Sequence, residues 1–301
     1  PEEPAALAMA VEKAKETDAE LVMASDPDAD RVGAAVKNNE GEWVLLNGNQ
    51  TALMFVYYLI TRWKELGKIN GKEYIVKTIV TTETIKTIAE RNGVEMYDVY
   101  TGFKWIANVM RENEGKKNYI GGGEESYGFL CEDFVRDKDA VSACVILAEI
   151  AAWAKDQGLS LYQLLQKIYV EYGFSKEKGI SVVKKGKSGA EEIEAMMKKF
   201  RENPLTEIAG SKVTYFYDYS TLKGKDYAEN ETVTLDMPTT SNVLQYFTED
   251  NTKVSIRPSG TEPKIKFYCE VHSKVKSIDE LPEAEKAAEE KINQIKASLG
   301  I

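Results

Sequence analysis

Glu20-Leu-Val-Met-Ala-Ser-Asp-Pro-Asp-Ala-Asp-Arg-Val-Gly-Ala-Ala-Val36 is two apolar runs separated by an acidic loop. Residues 20–24 and 32–36 read as short buried strands. Asp26, Asp28 and Asp30 alternate between them. In an extended loop, alternate side chains point the same way. Three carboxylates aimed at one spot repel each other unless a cation sits between them, and oxygen-only donors suit a hard cation such as Mg²⁺. A calcium-binding helix–loop–helix also opens Asp-x-Asp-x-Asp, but it needs Gly at position six and Glu at position twelve. Arg31 and Lys37 stand there, so that reading fails. A solvated acidic turn is the plainer alternative. Arg31, beside the loop, offers a guanidinium to a phosphate that also touches the metal.

Outward from this loop the pattern alternates. A helix is predicted at 5–16, a strand at 43–46, a helix at 49–66, a strand at 73–81, a helix at 84–91 and a strand at 94–100. A helix at 103–113, a strand at 118–121 and a long helix at 138–156 follow. Strand–helix alternation with short connections predicts a parallel sheet covered on both faces. After Tyr172 the pattern changes to a helix at 189–201, strands near 212–218, 232–236, 243–248, 253–256 and 264–271, and a helix at 283–299. The expected fold is therefore a parallel-sheet α/β domain followed by a small α+β domain with an antiparallel sheet, the boundary lying near Glu171–Gly173.

The 301 residues exceed one comfortable core. The net charge of −10, with no basic stripe, argues against a nucleic-acid partner. Cys131, Cys144 and Cys269 are odd in number and far apart, which favours a reducing, cytoplasmic compartment over a disulfide framework. The longest apolar stretch, Ala52 to Ile60, is too short to span a bilayer, so no membrane partner is expected. The chain opens Pro-Glu-Glu-Pro without Met and runs straight into a helical pattern, which suggests excision from a longer protein.

Two further loops carry chemistry. Gly121-Gly-Gly-Glu-Glu-Ser-Tyr-Gly128 follows a predicted strand. Its glycines allow a backbone to approach a ligand closely, while Glu124, Glu125 and Ser126 suit neighbouring sugar hydroxyls. No Lys follows, so it is not a nucleotide phosphate loop. A flexible surface turn is the alternative. Arg257-Pro-Ser-Gly-Thr-Glu-Pro-Lys264 lies between two predicted strands. A planar fork of donors, two hydroxyls and a glycine backbone match a phosphate monoester. Pro258 and Pro263 stiffen the loop. A rigid β-turn is the competing reading.

These motifs, in this order, resemble the α-D-phosphohexomutases, which include phosphoglucomutases and phosphomannomutases. Asp26-Pro-Asp-Ala-Asp-Arg-Val-Gly33, Thr101-Gly-Phe-Lys-Trp105, Gly122-Gly-Glu-Glu-Ser-Tyr-Gly128 and Arg257-Pro-Ser-Gly-Thr-Glu-Pro263 carry the resemblance, which covers essentially the whole chain. It implies residues 1–38 as the end of a second, metal-binding domain, 39–171 as a third, sugar-binding domain, and 172–301 as a mobile fourth, phosphate-binding domain. It implies Asp26, Asp28 and Asp30 as Mg²⁺ ligands and Arg31 as the arginine beside the active-site phosphate. Glu124 and Ser126 match the residues that hold sugar hydroxyls. Thr101, Gly102 and Lys104 match a loop that faces the sugar. Arg257, Ser259, Gly260 and Thr261 match the grip on the non-reacting phosphate. Lys138 matches a cleft lysine, against the reading of a surface lysine at a helix start.

The resemblance further implies an isomerase of carbohydrate metabolism, a phosphoprotein, that acts on small hexose phosphates. A phosphoserine passes its phosphoryl group to the sugar, and glucose 1,6-bisphosphate serves as intermediate and activator. One departure matters. The family's nucleophilic serine sits in a loop of Ser-His-Asn-Pro type, whereas the single histidine here, His272, lies in Val-His-Ser and reads as structural or exposed. These 301 residues alone are therefore expected not to turn over, and to hold the metal more weakly than the complete enzyme. Glu-Glu-Ser-Tyr-Gly resembles phosphoglucomutase loops, which favours glucose over mannose phosphates. A catalytically silent phosphosugar-binding protein, and a phosphatase with an aspartate nucleophile, are the other classes to weigh. Oligomeric state is not legible.

Overall fold

The computed structural model describes residues 1, 3–184, 186–260 and 262–301. The chain divides into two compact units, Pro1–Gly173 and Phe174–Ile301.

The first unit opens with α1 (Pro4–Glu16), whose Pro4 takes a first-turn position where its missing N–H costs nothing. A hairpin follows, β1 (Leu21–Ser25), β2 (Val32–Lys37) and β3 (Trp43–Leu46), forming a three-stranded antiparallel sheet. Leu7 and Ala14 of α1 pack on Val22 and Ala35 of this sheet. Helix α2 (Gly48–Glu65) starts at a capping box in which Asn47 and Gln50 each bond the other's backbone N–H. Its residues from Thr51 to Ile60 are all buried, as a helix apolar on every side must be.

Strand β4 (Glu73–Thr78), α3 (Thr84–Arg91), β5 (Glu95–Val99), α4 (Phe103–Asn113), β6 (Asn118–Gly123) and β7 (Phe129–Cys131) follow. They build a second sheet in the order β5-β4-β6-β7. Tyr74 and Val76 pack with Phe103, Ile106 and Met110 of α4 on one face. On the other face α2 approaches Gly121 directly: a Cβ there would stand 3.1 Å from Leu59 Cδ1. Helices α5 (Ala140–Asp156) and α6 (Leu161–Tyr172) complete the unit.

Three differences from the sequence reading have local causes. The sheet is mixed, because β7 returns antiparallel to β6 across the tight Gly-Glu loop, while β4 runs parallel to β5 and β6. The strand predicted to Thr81 stops at Thr78, where Thr81 N donates to Thr78 O and turns the chain. The long helix begins at Ala140, since the Asp139 side chain accepts from Val141 N and Ser142 N and fixes the start.

The second unit comprises β8 (Phe174–Val183), α7 (Gly186–Glu202), β9 (Glu207–Ile208), β10 (Ser211–Asp218), β11 (Lys223–Asp226), β12 (Glu231–Thr234), β13 (Leu244–Thr248), β14 (Lys253–Pro258), β15 (Lys264–Ser273) and α8 (Leu281–Leu299). The sheet runs β12-β11-β10-β13-β14-β15-β8, every neighbour antiparallel, with β9 paired to β10. Phe200 of α7 meets Phe267 of β15 edge-on at 6.3 Å, and Ile292, Ile295 and Leu299 of α8 are buried. Side chains alternate along β15, so Phe267 and Cys269 are buried in the core while Lys266 and Tyr268 are only half-buried.

Candidate active-site loops

The acidic loop folds around one of its own carboxylates. Asp26 Oδ1 accepts from Asp30 N and Arg31 N, both at 3.1 Å, and Oδ2 accepts from Arg31 Nε at 2.8 Å. The loop is a turn rather than an extended segment, with Ala29 in the left-handed region at φ 55°. Alternate side chains consequently do not share one direction: Asp26 is buried, Asp28 exposed and Asp30 half-buried. Burial would raise the Asp26 pKa, but the hydrogen bonds from Arg31 and Asp30 outweigh it and hold the carboxyl at about 2.

Two segments converge on this turn, the start of α5 and the Gly-Glu loop. Ala29 O accepts from Ala140 N, the first residue of α5, so the positive end of that helix meets the acidic loop. Val32 N donates to Tyr127 O at 3.1 Å, joining the acidic loop to the Gly-Glu loop. Lys138 Nζ stands 3.0 Å from Asp30 Oδ2 and 3.2 Å from Asp137 Oδ1. Burial lowers the Lys138 pKa, and the bonds to Asp30 and Asp137 more than reverse this, so the ammonium stays charged. Its stem runs over Gly128, where an added Cβ would lie 2.1 Å from Lys138 Cδ, and its head lies over the Phe103 ring. Lys138 is thus a half-buried cation of the loop cluster and precedes its helix.

The Gly-Glu loop separates its acids. Glu124 is buried, and its Oε1 accepts from Gly102 N at 2.7 Å, which couples it to the Thr101–Lys104 segment. Gly102 has φ 108°, a conformation that suits glycine and starts α4. Thr101 is half-buried, whereas Lys104 and Ser126 are exposed, with the Lys104 ammonium over the Trp105 ring. Glu125, which the motif alone could not set apart from Glu124, turns away: its Oε2 accepts from Thr78 Oγ1 at 3.1 Å and Thr81 Oγ1 at 3.4 Å. Thr78, Thr81 and the buried Lys77 are thus supporting residues that the strand pattern concealed. The signal for them was a lysine inside an otherwise apolar strand, followed by a threonine-rich turn.

In the second unit, Arg257 and Pro258 end β14, and the loop to β15 holds Ser259 and Gly260, while Thr261 lies outside the described residues. Ser259 N donates to Lys264 O at 2.8 Å, and Ser259 Oγ accepts from Glu262 N at 3.3 Å. Among the described residues the Arg257 guanidinium makes no hydrogen bond or ion pair. Gly260 has open space about its Cα. His272 is partly exposed and structural, its Nε2 2.7 Å from Glu270 Oε1.

The donor chemistry of Asp26, Asp28 and Asp30 suits Mg²⁺. Their present arrangement is not a closed metal site: among the described residues no three acidic, histidine or cysteine side chains converge. Arg31 and Lys138 supply the balancing charge. The three cysteines are free, and no described helix is long and apolar enough to cross a membrane.

This is an α/β scaffold that hangs an acidic loop, a Gly-Glu loop and an Arg-Ser-Gly loop on strand ends. Three family models match it in order: phosphoglucomutase/phosphomannomutase alpha/beta/alpha domain II over residues 1–41, alpha/beta/alpha domain III over 47–172, and the C-terminal domain over 181–288. The chain belongs to the α-D-phosphohexomutase family. It is 38% identical over 268 residues to a phosphoglucomutase of Staphylococcus aureus and 34% identical over 272 residues to one of Staphylococcus haemolyticus. These alignments cover 89% and 90% of the chain and 48% of each relative, so the chain spans about half the length of the curated relatives it matches. A phosphoglucomutase/phosphomannomutase family protein of Burkholderia thailandensis shares the fold, with a TM-score of 0.61 at 19% identity over 99% of this chain and 51% of that one.

Proposed function

We propose that this chain is the metal-, sugar- and phosphate-binding part of a phosphoglucomutase that interconverts glucose 1-phosphate and glucose 6-phosphate. The observation that carries it is the joining of the acidic loop to the Gly-Glu loop, through Val32 N to Tyr127 O and through Lys138, whose stem crosses Gly128 and whose head reaches Asp30. The relatives named phosphoglucomutase favour glucose phosphates over mannose phosphates in this reading.

Arg31 and Lys138 place cationic donors where a phosphoryl group would pass, and such positioning accounts for most of phosphoryl-transfer catalysis. Glu124, held by Gly102 N, and Ser126 accept or donate to sugar hydroxyls. Thr101, Gly102 and Lys104 border the same sugar. Arg257, Ser259 and Gly260, with Thr261, take the phosphate that does not react. Mg²⁺ held by Asp26, Asp28 and Asp30 would supply positive charge against the transferring group. The phosphoryl donor is a phosphoserine outside these residues, and glucose 1,6-bisphosphate is the intermediate. An aspartate-nucleophile phosphatase fits less well, because Asp26 already accepts from Asp30 N, Arg31 N and Arg31 Nε and has little nucleophilic character left.

Calorimetric titration of the chain with glucose 1-phosphate and mannose 1-phosphate tests this reading. Binding of the glucose ester, weakened by Arg257→Ala and by Glu124→Gln, is expected. A dehydrogenase-coupled assay of the same 301 residues should show no turnover. Binding of neither ester would overturn the assignment, and tighter binding of the mannose ester would move it to phosphomannomutase.

A further inference from the structure

Two adjacent glutamates stand in the Gly-Glu loop, and only one of them faces the Thr101–Lys104 segment. We infer that Glu125 is a positioning residue: it ties the sugar-binding loop to the turn after β4, and a buried lysine fixes that turn.

Each link is short. Glu125 is bonded from both ends, its backbone N donating to Thr81 Oγ1 at 3.2 Å and its Oε2 accepting from Thr78 Oγ1 and Thr81 Oγ1. The two threonine hydroxyls also lie 2.8 Å from each other, so their two protons are shared among three oxygen contacts under the carboxylate. The 78–83 turn that carries them is held from below by Lys77, which is 1% exposed. Lys77 Nζ reaches Asp98 Oδ1 at 2.6 Å and Glu83 Oε1 at 2.9 Å, and the Thr78 and Thr81 carbonyls at 3.4 Å. Asn49 of α2 clamps the same turn by accepting from Thr82 N at 2.9 Å. A Cβ on Gly48 would lie 2.0 Å from Glu125 O, so α2 presses directly on the loop backbone.

A short Gly-rich segment has little conformational stiffness of its own. Glu124 and Ser126 flank Glu125, so fixing Glu125 limits the freedom of both. A ligand group must be held by neighbours that do not themselves bind, and Thr78, Thr81 and Lys77 have the burial and hydrogen bonds for that role. The sugar-binding role of this loop rests on the proposed function; the ordering of the loop is independent of it.

The test uses the double variant Thr78→Val/Thr81→Val, which removes both hydroxyls while leaving Glu125 and the loop sequence intact. Hydrogen–deuterium exchange of the 122–128 segment should quicken by about tenfold, the scale of one lost charged hydrogen bond in local opening, with exchange in the second unit unchanged. Thr78→Ser/Thr81→Ser should restore slow exchange. Glucose 1-phosphate binding should weaken in the valine variant and recover in the serine variant. In the complete enzyme the valine variant should raise KM with a smaller change in kcat, and Glu125→Gln should do the same. Unchanged exchange in the valine variant overturns the inference. So does Glu125→Gln abolishing binding while loop exchange stays slow, since that would make Glu125 a direct ligand. Altered exchange in a chain that binds no sugar phosphate at all would leave the positioning role standing and remove the functional reading instead.

Discussion

Lys138 Nζ lies 3.0 Å from Asp30 Oδ2, and its stem crosses the space a side chain on Gly128 would need. One lysine thereby depends on a glycine in one loop and neutralises a carboxylate in another. Gly128→Ala should push the flexible stem aside at modest cost, about 1 kcal/mol in urea denaturation, because a partly exposed ion pair contributes little. The same variant should weaken glucose 1-phosphate binding roughly tenfold by calorimetry, since the ammonium no longer sits over the acidic loop. Equal binding by wild type and variant would remove Lys138 from the site.

Asp26 and Asp28 should separate structure from metal binding. Asp26→Ala removes the acceptor around which the turn folds and should cost about 2–3 kcal/mol. Asp28 is exposed, so Asp28→Ala should cost less than about 0.5 kcal/mol. The wild-type chain should gain thermal stability on adding millimolar MgCl₂, by mass action on the folded state, and Asp28→Ala should lose that gain. A magnesium-dependent shift that survives in Asp28→Ala would locate the cation elsewhere.

Lys77 and Lys37 form ion pairs of the same length with opposite surroundings. Lys77 is 1% exposed and meets Glu83 at 2.9 Å, whereas Lys37 meets the nearly fully exposed Asp18 at 2.9 Å. Lys77→Met should destabilise the first unit by about 3 kcal/mol, because Glu83 and Asp98 both lose a buried cation. Lys37→Met should leave the denaturation midpoint where it was. Similar effects of the two would show that burial does not decide the matter.

The second unit should become less stable as pH rises above about 6.5. Burial alone would lower the His272 pKa, but the Glu270 carboxylate beside it raises it above the ordinary histidine value. The groups facing this imidazole are Glu270 on its own strand, Glu177 on β8 and Lys253 on β14. A histidine with a raised folded pKa stabilises fully below its unfolded pKa, about 6.5, and that contribution is lost as pH climbs through the folded value. Melting temperature of the second unit should fall across this window, and His272→Gln should flatten the fall. An unchanged slope in the variant would assign the dependence to another group.

Much of the local architecture follows from periodicity. The hairpin β1–β2, the central helix α2, the parallel strands β4 and β5, and the last helix α8 all declare themselves by apolar spacing, which reports backbone structure because it is itself local. The strands that stayed hidden lack such spacing. Strand β8 reads Phe-Ser-Lys-Glu-Lys-Gly-Ile-Ser-Val-Val, with no sustained apolar alternation, so only its ten-residue ladder with β15 makes it a strand. Strand β7 has three residues, too few for any period. Helix α6 does carry the signal, with Leu161, Leu164, Leu165 and Ile168 at helical spacing and a Ser160–Gln163 capping box at its start, and the sequence reading omits it all the same.

The candidate site divides in the same way. Residue order discloses which chemistry is available: an acidic loop, a glutamate-bearing glycine loop and an arginine–serine–glycine loop, each on a strand end, in an order specific enough to indicate the family. Tertiary structure alone decided how each group is used. Three alternating aspartates look equivalent in a row, yet the turn makes Asp26 its own buried scaffold, leaves Asp28 in solvent and hands Asp30 to Lys138. Glu124 and Glu125 are neighbours of identical chemistry, yet one meets Gly102 N and the other the hydroxyls of Thr78 and Thr81. These assignments depend on segments far apart in the chain, and a hydrogen bond is fixed by where folding brings its partner, which no local pattern encodes.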